Sequence, residues 1–342
     1  MRDKATSFDI AHQAGVSQST VSRALRNSPL VNQATRDKIQ AIAQELNYKV
    51  DKNASNLRRQ HSLTLALLLF EDPTSDDSLI NPFFLSMLGS ITKASTKAGY
   101  DLLVSFQNLN DDWHAEYEDS NKADGLILLG YGDYTDYSDK LTKLEEQETH
   151  FVRWGAHDVD HPGVSIGCDN MQGGLDITQH LINLGRNSFA FIGDSGSQAP
   201  EFRERYLGHC KALKQANLVV DSKMQFDAIS TEEAGYLAAQ ALIATGQHFD
   251  ALVCASDLIA LGVLRSLREN AFKIPEQVAI VGYDNIPIAS FATPALTTVR
   301  QNTKLAGELL VDSLLKLIQG DDVSHHLMPV DLVIRQSCGS NA

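Results

Sequence analysis

The sequence of 342 residues lacks the features that mark membrane-spanning, exported and disulfide-bonded proteins. Its longest apolar stretch, LTLALLLF from Leu63 to Phe70, is far shorter than the roughly 20 residues that cross a bilayer. The first ten residues contain no apolar run of the kind that a signal peptide needs. The four cysteines lie far apart and form no CxxC pair, which is typical of a reduced protein. We therefore expect a cytoplasmic protein with no membrane partner.

A strong catalytic signature is also lacking. The segment Gly193–Gly196 reads GDSG, as in trypsin-like proteases, but it follows an apolar strand and no matching histidine segment exists. GYGDY, from Gly130 to Tyr134, lacks the third glycine and the helix start that a dinucleotide-binding loop needs. His157 and His161, with aspartates between them, lie beside a Pro-Gly pair and are expected in a surface loop rather than on a metal. We expect no enzyme activity, no cofactor and no metal.

Basic residues are outnumbered, 29 against 43 acidic ones, and the net charge of −14 argues against a generally basic surface. The charge is unevenly placed, however. Residues 1–60 hold ten Lys and Arg and five Asp and Glu, a net of +5, so the remainder carries −19. This asymmetry indicates a basic segment that binds a polyanion, attached to an acidic body with another task.

Within the basic segment, IAHQAGVSQSTVSRAL (Ile10 to Leu25) predicts two short helices joined by a tight turn. Gly15 is expected to end the first helix and Ser17 to N-cap the second. The second helix would bury Val21 and Leu25 and expose amide, hydroxyl and guanidinium groups. Those groups match base edges in the major groove. An ordinary amphipathic helix pair is the alternative, and the charge of the segment disfavours it.

A third helix is predicted after Asn32, because Ile39, Ile42, Ala43 and Leu46 recur at helical spacing and complete a three-helix core.

The polar and basic stretch YKVDKNASNLRRQH follows. It reads either as a solvated linker or as a segment that folds on DNA. In the second case Leu57 enters the minor groove between base pairs while Arg58 and Arg59 meet phosphates.

From residue 63 onward the sequence alternates between apolar strands and amphipathic helices, which predicts parallel sheets covered on both faces. The predicted helices span residues 170–185, 203–217, 231–245 and 257–270. The number of units fits two doubly wound lobes, so we expect a small-molecule site in the cleft between them. The predicted strands are Leu63–Phe70, Tyr100–Phe106, Gly125–Gly130, His150–Gly155, Ser188–Asp194, Ala251–Ser256 and Val278–Asp284.

These segments give the chain a resemblance to transcriptional repressors of the lactose/galactose repressor (LacI/GalR) family over nearly its whole length. Each motif is weak alone, but the set is very specific in this order and spacing. The matching segments are AGVSQSTVSRAL, PLVNQATRDKIQAIAQELNY, NPFF, GCDNMQGG, HLINLGRNSFAFIG, RYLG, SDLIALGVLRSLRE, IPEQVAIVGYDNIPIASFATPALTTVRQ and LVIRQS.

The resemblance implies that the second helix recognises double-stranded operator DNA and that Leu57 is an intercalating wedge in a hinge. Val50 and Asp51 stand where the family commonly has proline and asparagine, and phosphate repels an aspartate there. The implied DNA contacts are Thr6, Ser17, Gln18, Ser19, Thr20, Ser22, Arg23, Asn32, Ala54, Leu57 and Arg58.

The resemblance also implies an effector site in the cleft. Arg205 and Asp284 can bracket the vicinal hydroxyls of a sugar, and an aromatic face can cover its C–H side. Ser256 replaces the asparagine of a common Asn-Asp pair, which removes one amide. A core position is the alternative for Phe84, a turn cap for Asp284, and a purely structural role for Trp154. The implied contacts are Phe84, Trp154, Arg205, Asp257 and Asp284.

The fold class that we predict is α/β, with an N-terminal helix-turn-helix domain and a two-lobed body like that of periplasmic binding proteins. The expected boundaries are 1–49 for the headpiece, 50–61 for the hinge and 62–342 for the body, with the chain crossing between lobes near 160, 290 and 325. We expect a homodimeric repressor of carbohydrate-utilisation genes, released or recruited by a small carbohydrate. A nucleobase-responsive corepressor-type regulator and a sugar-binding protein without DNA function are the alternatives.

Overall fold

The computed structural model describes residues 5–48, 61–70, 80–107, 112–130, 134–156, 161–197 and 199–340. By its internal contacts the chain divides into two compact units, Met1–Ser62 and Leu63–Ala342. Each unit has a core of its own.

The N-terminal unit holds three helices, α1 (Ser7–Ala14), α2 (Gln18–Leu25) and α3 (Gln33–Glu45). Thr6 starts α1 with a capping box, in which its hydroxyl accepts from the Asp9 N–H and the Asp9 carboxylate accepts from the Thr6 N–H. Gly15 ends α1 at a φ of 70°, a left-handed conformation that glycine adopts without strain.

The predicted caps of the next two helices are confirmed. The Ser17 hydroxyl accepts from the Thr20 N–H at 3.2 Å, and Asn32 Oδ1 accepts from the Thr35 N–H at 2.9 Å. The core of this unit differs from expectation in one respect. Leu25 is only partly buried, because it is the last residue of α2, and Ala24 packs beside Val21 instead.

The strands of the second unit form two six-stranded sheets. The first has the order β11-β5-β4-β3-β1-β2 and the second β12-β10-β9-β8-β6-β7. Neighbouring strands run parallel except β10 and β12, which run antiparallel. The strands are β1 (Thr64–Phe70), β2 (Asp101–Gln107), β3 (Leu126–Leu129), β4 (Phe151–Trp154), β5 (Val164–Cys168), β6 (Phe189–Ile192), β7 (Gln225–Phe226), β8 (Ala251–Cys254), β9 (Ala279–Asp284), β10 (Thr297–Arg300), β11 (His326–Met328) and β12 (Asp331–Val333).

Helices cover the sheets, as the alternating pattern predicts. Within the described ranges, no helix is long and apolar enough to cross a membrane. The helices are α4 (Pro82–Ala98), α5 (Tyr134–Glu146), α6 (Asn170–Asn183), α7 (Pro200–Gln215), α8 (Glu232–Ala244), α9 (Asp257–Glu269) and α10 (Thr303–Ile318), with a π-helical turn at Ala115–Asp119 and short 3₁₀ turns at Ser222–Met224 and Pro287–Ser290.

The predicted α/β class with two lobes is confirmed, and all seven predicted strands are present. Five further strands were not predicted: β5, β7, β10, β11 and β12. They have two to five residues and mix apolar with polar side chains, so they carry no clear apolar run.

Because of these short strands, the chain crosses between the lobes later in the sequence than expected. The chain leaves the first sheet after Cys168, leaves the second after Arg300, and crosses back between Met328 and Asp331. The positions expected near 160, 290 and 325 are therefore each several residues too early, because β5, β10 and β11 extend the lobes that precede the crossings.

Candidate functional site

Helix α2 presents a polar surface that local hydrogen bonds partly organise. Ser19 and Arg23 are exposed, and Gln18 is half-buried because its amide donates to Ser7 Oγ at 2.7 Å. The Ser17 hydroxyl shares hydrogen bonds of 2.8 Å with Ser19 and with Thr20. The start of α2 is thus fixed, and Arg23 is exposed in its last turn.

Other predicted DNA contacts also serve the fold. Thr6 and Asn32 are the N-caps of α1 and α3, and the half-buried Ser22 accepts from the Arg26 guanidinium. The sequence reasoning missed Lys38, whose ammonium donates to the Ala14 carbonyl at 3.0 Å and ties α3 to the end of α1. The remaining predicted contacts, Ala54, Leu57 and Arg58, lie outside the described residues.

In the second unit, polar side chains gather where the strands of both sheets end. Helix α7 carries Arg205 to this place, and its position is set by backbone packing on α6. A Cβ added to Gly174 would lie 2.1 Å from the Arg205 carbonyl oxygen, so only a glycine permits this approach. The motifs GCDNMQGG and RYLG therefore hold the two helices in close contact.

The guanidinium of Arg205 is enclosed, with 2% of the residue exposed. Its Nε donates to Asn170 Oδ1 at 2.9 Å, and Nη1 donates to the Ala255 carbonyl at 2.6 Å. Nη1 also lies 3.6 Å from Asp284 Oδ1, and the group stacks 3.8 Å from the centre of the Tyr283 ring. The predicted pair of Arg205 and Asp284 is therefore adjacent and preorganised.

Asp284 ends β9 in an unusual backbone conformation. Its φ is 110°, which costs a non-glycine residue about 1–3 kcal/mol and is common at ligand sites. Its carboxylate is buried and accepts from Gln301 Nε2 at 2.6 Å. Gln301 follows β10 at a crossing between the lobes and is a site residue that the sequence reasoning missed.

Asp257 lies deeper than an open contact site. It is fully buried, and its two oxygens accept from the Ile286 N–H at 2.8 Å and the Thr298 hydroxyl at 2.6 Å. Burial, together with the charge of Asp284, raises the pKa of Asp257 well above its usual range. In this conformation Asp257 fixes the turn that follows β9.

The aromatic residue that lines the cavity lies one position earlier in the sequence than expected. Phe83, not Phe84, lines a cavity of about 250 Å³ with Ser86, Asp284 and Gln301. Phe84 is buried in the hydrophobic core with its ring 5.4 Å from that of Phe83. Trp154 is also buried, and its ring centre lies 6.0 Å from that of Phe83.

A buried hydrogen-bond chain joins the two lobes. Asn81 Nδ2, at the start of α4, donates to Ser230 Oγ at 3.2 Å, and Ser230 donates to Ser256 Oγ at 2.9 Å. Ser256 was expected to leave the pocket without an amide. The structure brings the amide of Asn81 to this place from the other lobe, through Ser230.

The histidines considered as metal ligands are His157 and His161. Across the ranges that the structure describes, no group of three or more His, Cys, Asp or Glu could hold a metal ion. His157 lies outside those ranges.

Two family models match the chain. Residues 8–51 match that of bacterial regulatory proteins of the lacI family, and residues 178–338 match a periplasmic binding protein-like domain.

Similar proteins match over nearly the full length. The transcriptional repressor CytR of Escherichia coli (strain K12) is 30% identical, covering 97% of this chain and 96% of that protein. The transcriptional regulator RegA of Clostridium saccharobutylicum is 29% identical, with 96% and 98% covered. Among solved structures, the Lac repressor dimer bound to operator and the anti-inducer ONPF has a TM-score of 0.86, 25% identity and 98% and 99% coverage. The regulator CelR in complex with cellobiose has a TM-score of 0.72, 27% identity and 97% and 99% coverage.

Proposed function

The chain belongs to the lacI family of bacterial regulatory proteins, and we propose that it represses carbohydrate-utilisation genes under the control of a small sugar or sugar derivative. The observation that carries the ligand-controlled part is the buried pair of Arg205 and Asp284 at the end of β9. Charged groups held in place before a ligand arrives can donate to and accept from neighbouring hydroxyls.

The DNA-reading part of the proposal assigns base-edge contacts to Gln18, Ser19, Thr20 and Arg23 on α2. This helix begins at a well-capped N-terminus and exposes amide, hydroxyl and guanidinium groups, which suits the major groove. One helix reaches only a half-site, so two chains act as a homodimer on a pseudo-palindromic operator.

The assignment of tasks follows the expected boundaries. Residues 1–49 read the operator, residues 50–61 form the hinge, and residues 62–342 bind effector and pair with the second chain. The protein acts in the cytoplasm and performs no catalytic step.

Control passes through the orientation of the two lobes. A ligand in the cavity lined by Phe83 and Asp284 changes the contact of Asn81 with Ser230 and so changes the population of lobe orientations. The hinge segments of two chains then meet, or separate, on DNA. A nucleobase is the alternative effector, because the ring of Phe83 and the amide of Gln301 line the same cavity.

Two measurements test this function. Purified protein is screened for thermal stabilisation by mono- and oligosaccharides and by nucleobases, since a ligand of the native state raises the melting temperature.

Operator binding is then compared between wild type and Leu57→Ala. We expect the variant to bind operator far more weakly while its ligand-induced stabilisation is unchanged. Equal operator affinity in both proteins would remove Leu57 from the DNA contact.

A further inference from the structure

Helix α7 begins with a buried acid where the two lobes meet. Pro200 and Glu201 are its first two residues, and Ala199 at the N-cap offers no side-chain hydrogen bond. Glu201 is 3% exposed, and burial raises its pKa to about 7. The backbone N–H groups of Glu201 itself and of Ala156 act in the opposite direction. Since Ala156 follows β4 in the first lobe, the carboxyl group of Glu201 lies at the contact between lobes.

One oxygen of this carboxyl group has no partner. Oε1 of Glu201 is buried and accepts no hydrogen bond from any residue in the described part of the chain. Leaving a buried charged acceptor unpaired is costly, and native structures seldom retain such a group without a ligand, ion or water to satisfy it.

Charged groups of both signs act on Glu201. Arg205, one turn further along α7, is the cation that acts on it, while Glu204 adds a second negative charge. Arg205 already lies 3.6 Å from Asp284 and donates to Asn170. Two buried carboxyl groups, those of Glu201 and Asp284, thus share one guanidinium. When Glu201 loses its proton, a second buried carboxylate acts on this guanidinium, and a buried charge is stabilised by a partner of opposite sign.

We propose that the effector carries a protonated amine, and that Glu201 receives this group and thereby selects the effector. This inference rests on the proposed function, because it names the chemical class of the ligand in the same cleft. Arg205 and Asp284 bracket hydroxyls, and the ammonium group donates to Glu201 Oε1. An amino sugar combines both features. A neutral sugar would satisfy the hydrogen bond but would bring no positive charge to the ionised form of Glu201.

The test uses the full chain and matched probes. D-glucosamine, D-galactosamine and D-mannosamine are each compared with the corresponding hydroxyl sugar by thermal shift, and binding is then quantified by calorimetry. Three proteins are used: wild type, Glu201→Gln, and Glu232→Gln as a control. Glu232 occupies the first turn of α8 but is exposed and already paired with Arg265 at 3.2 Å.

We expect at least one amine to stabilise the wild type and its hydroxyl counterpart to bind more weakly. Glu201→Gln should weaken the amine by about tenfold to a hundredfold, the range for a hydrogen bond to a charged group, and Glu232→Gln should not. Equal affinity of Glu201→Gln for the amine, or no stabilisation by any amine, overturns the inference. Stabilisation by a hydroxyl sugar or a nucleobase alone overturns it too and leaves the proposed function standing. A protein that binds none of the probes and no operator contradicts both.

Discussion

Arg23 on α2 and Arg205 on α7 carry the same guanidinium group in opposite surroundings. Arg23 is exposed, whereas Arg205 is 2% exposed and held by Asn170, Ala255 and Asp284. An exposed arginine is solvated until a negatively charged partner binds. Its removal therefore weakens the binding of that partner and leaves the free energy of unfolding unchanged. A buried arginine belongs to the core, so ligand binding and stability depend on it together. The proposed operator-reading surface of α2 and the proposed effector cleft should therefore respond differently to equivalent substitutions.

The largest effect is expected for Arg205→Ala. Asp284 would remain buried without its cation, which costs about 3–5 kcal/mol of the free energy of unfolding, and the effector response should be lost. Urea unfolding measures the first effect and ligand-induced thermal stabilisation the second. The control is Arg265→Ala. Arg265 forms exposed ion pairs with Glu232 and Glu269, so this substitution should leave the urea midpoint of unfolding close to that of the wild type. A wild-type midpoint for Arg205→Ala would contradict the contrast between the two surroundings.

A second test concerns the unpaired acid of the cleft. Burial raises the pKa of Glu201 from an ordinary 4.5 to about 7, so the folded protein binds a proton more tightly than the unfolded chain. Stability is then highest below pH 4.5 and falls as the pH rises through 7, by about 3 kcal/mol in total. Glu201→Gln should remove this decrease and be more stable than wild type at pH 8. Parallel stability profiles of the two proteins between pH 5 and 8 would show that Glu201 does not titrate in this way.

The same comparison of buried with exposed side chains applies to His209, which is buried in the second lobe. Burial lowers its pKa from 6.5 to about 3, and its Nδ1 lies 3.0 Å from Thr178 Oγ1. The unfolded chain binds the proton more tightly, so stability is full above pH 6.5 and decreases as the pH falls toward 3. At pH 5 the loss is about 2 kcal/mol, and His209→Gln should abolish it. Substitution of the exposed His12 serves as the control, and an equal change in both variants would contradict the role of burial.

The smallest effects are expected on α2, and they should appear only with DNA. Arg23→Ala should weaken the preferred operator by about tenfold, and Gln18→Ala should change which bases are preferred. Both variants should unfold at the wild-type urea concentration. Selection of operators from a random library measures preference, and a uniform loss of affinity for every sequence would indicate phosphate contacts instead.

What could be predicted from the sequence follows the same division. The helices of the N-terminal unit were predicted because their signals are local: the Ser17 and Asn32 caps, Gly15 and the apolar spacing all lie within a few residues of their effects. Long apolar strands such as β1 were found for the same reason. The short β11 and β12 were not, since each becomes a strand by pairing with a strand that is distant in the sequence, β5 or β10, and not through an apolar run of its own.

The cleft was predicted in part. Arg205 and Asp284 were expected there and are adjacent, but Phe83 lines the cavity where Phe84 was expected. Neighbouring residues on a helix point about 100° apart, and the pair of phenylalanines gives no indication of which one faces the ligand. Glu201 was missed because it is buried by contact with the other lobe, which is distant from it in the sequence. No pattern within PEFRER reveals that approach.

The most direct measurement follows operator affinity by fluorescence anisotropy while a stabilising ligand from the thermal screen is added to wild type and to Arg205→Ala. In the wild type, the ligand should change the operator dissociation constant by at least about fivefold, the lower end of usual allosteric coupling. In Arg205→Ala, the same concentration should leave it unchanged. A ligand that stabilises the wild type but does not alter its operator affinity would contradict control of the DNA-reading helix by the cleft.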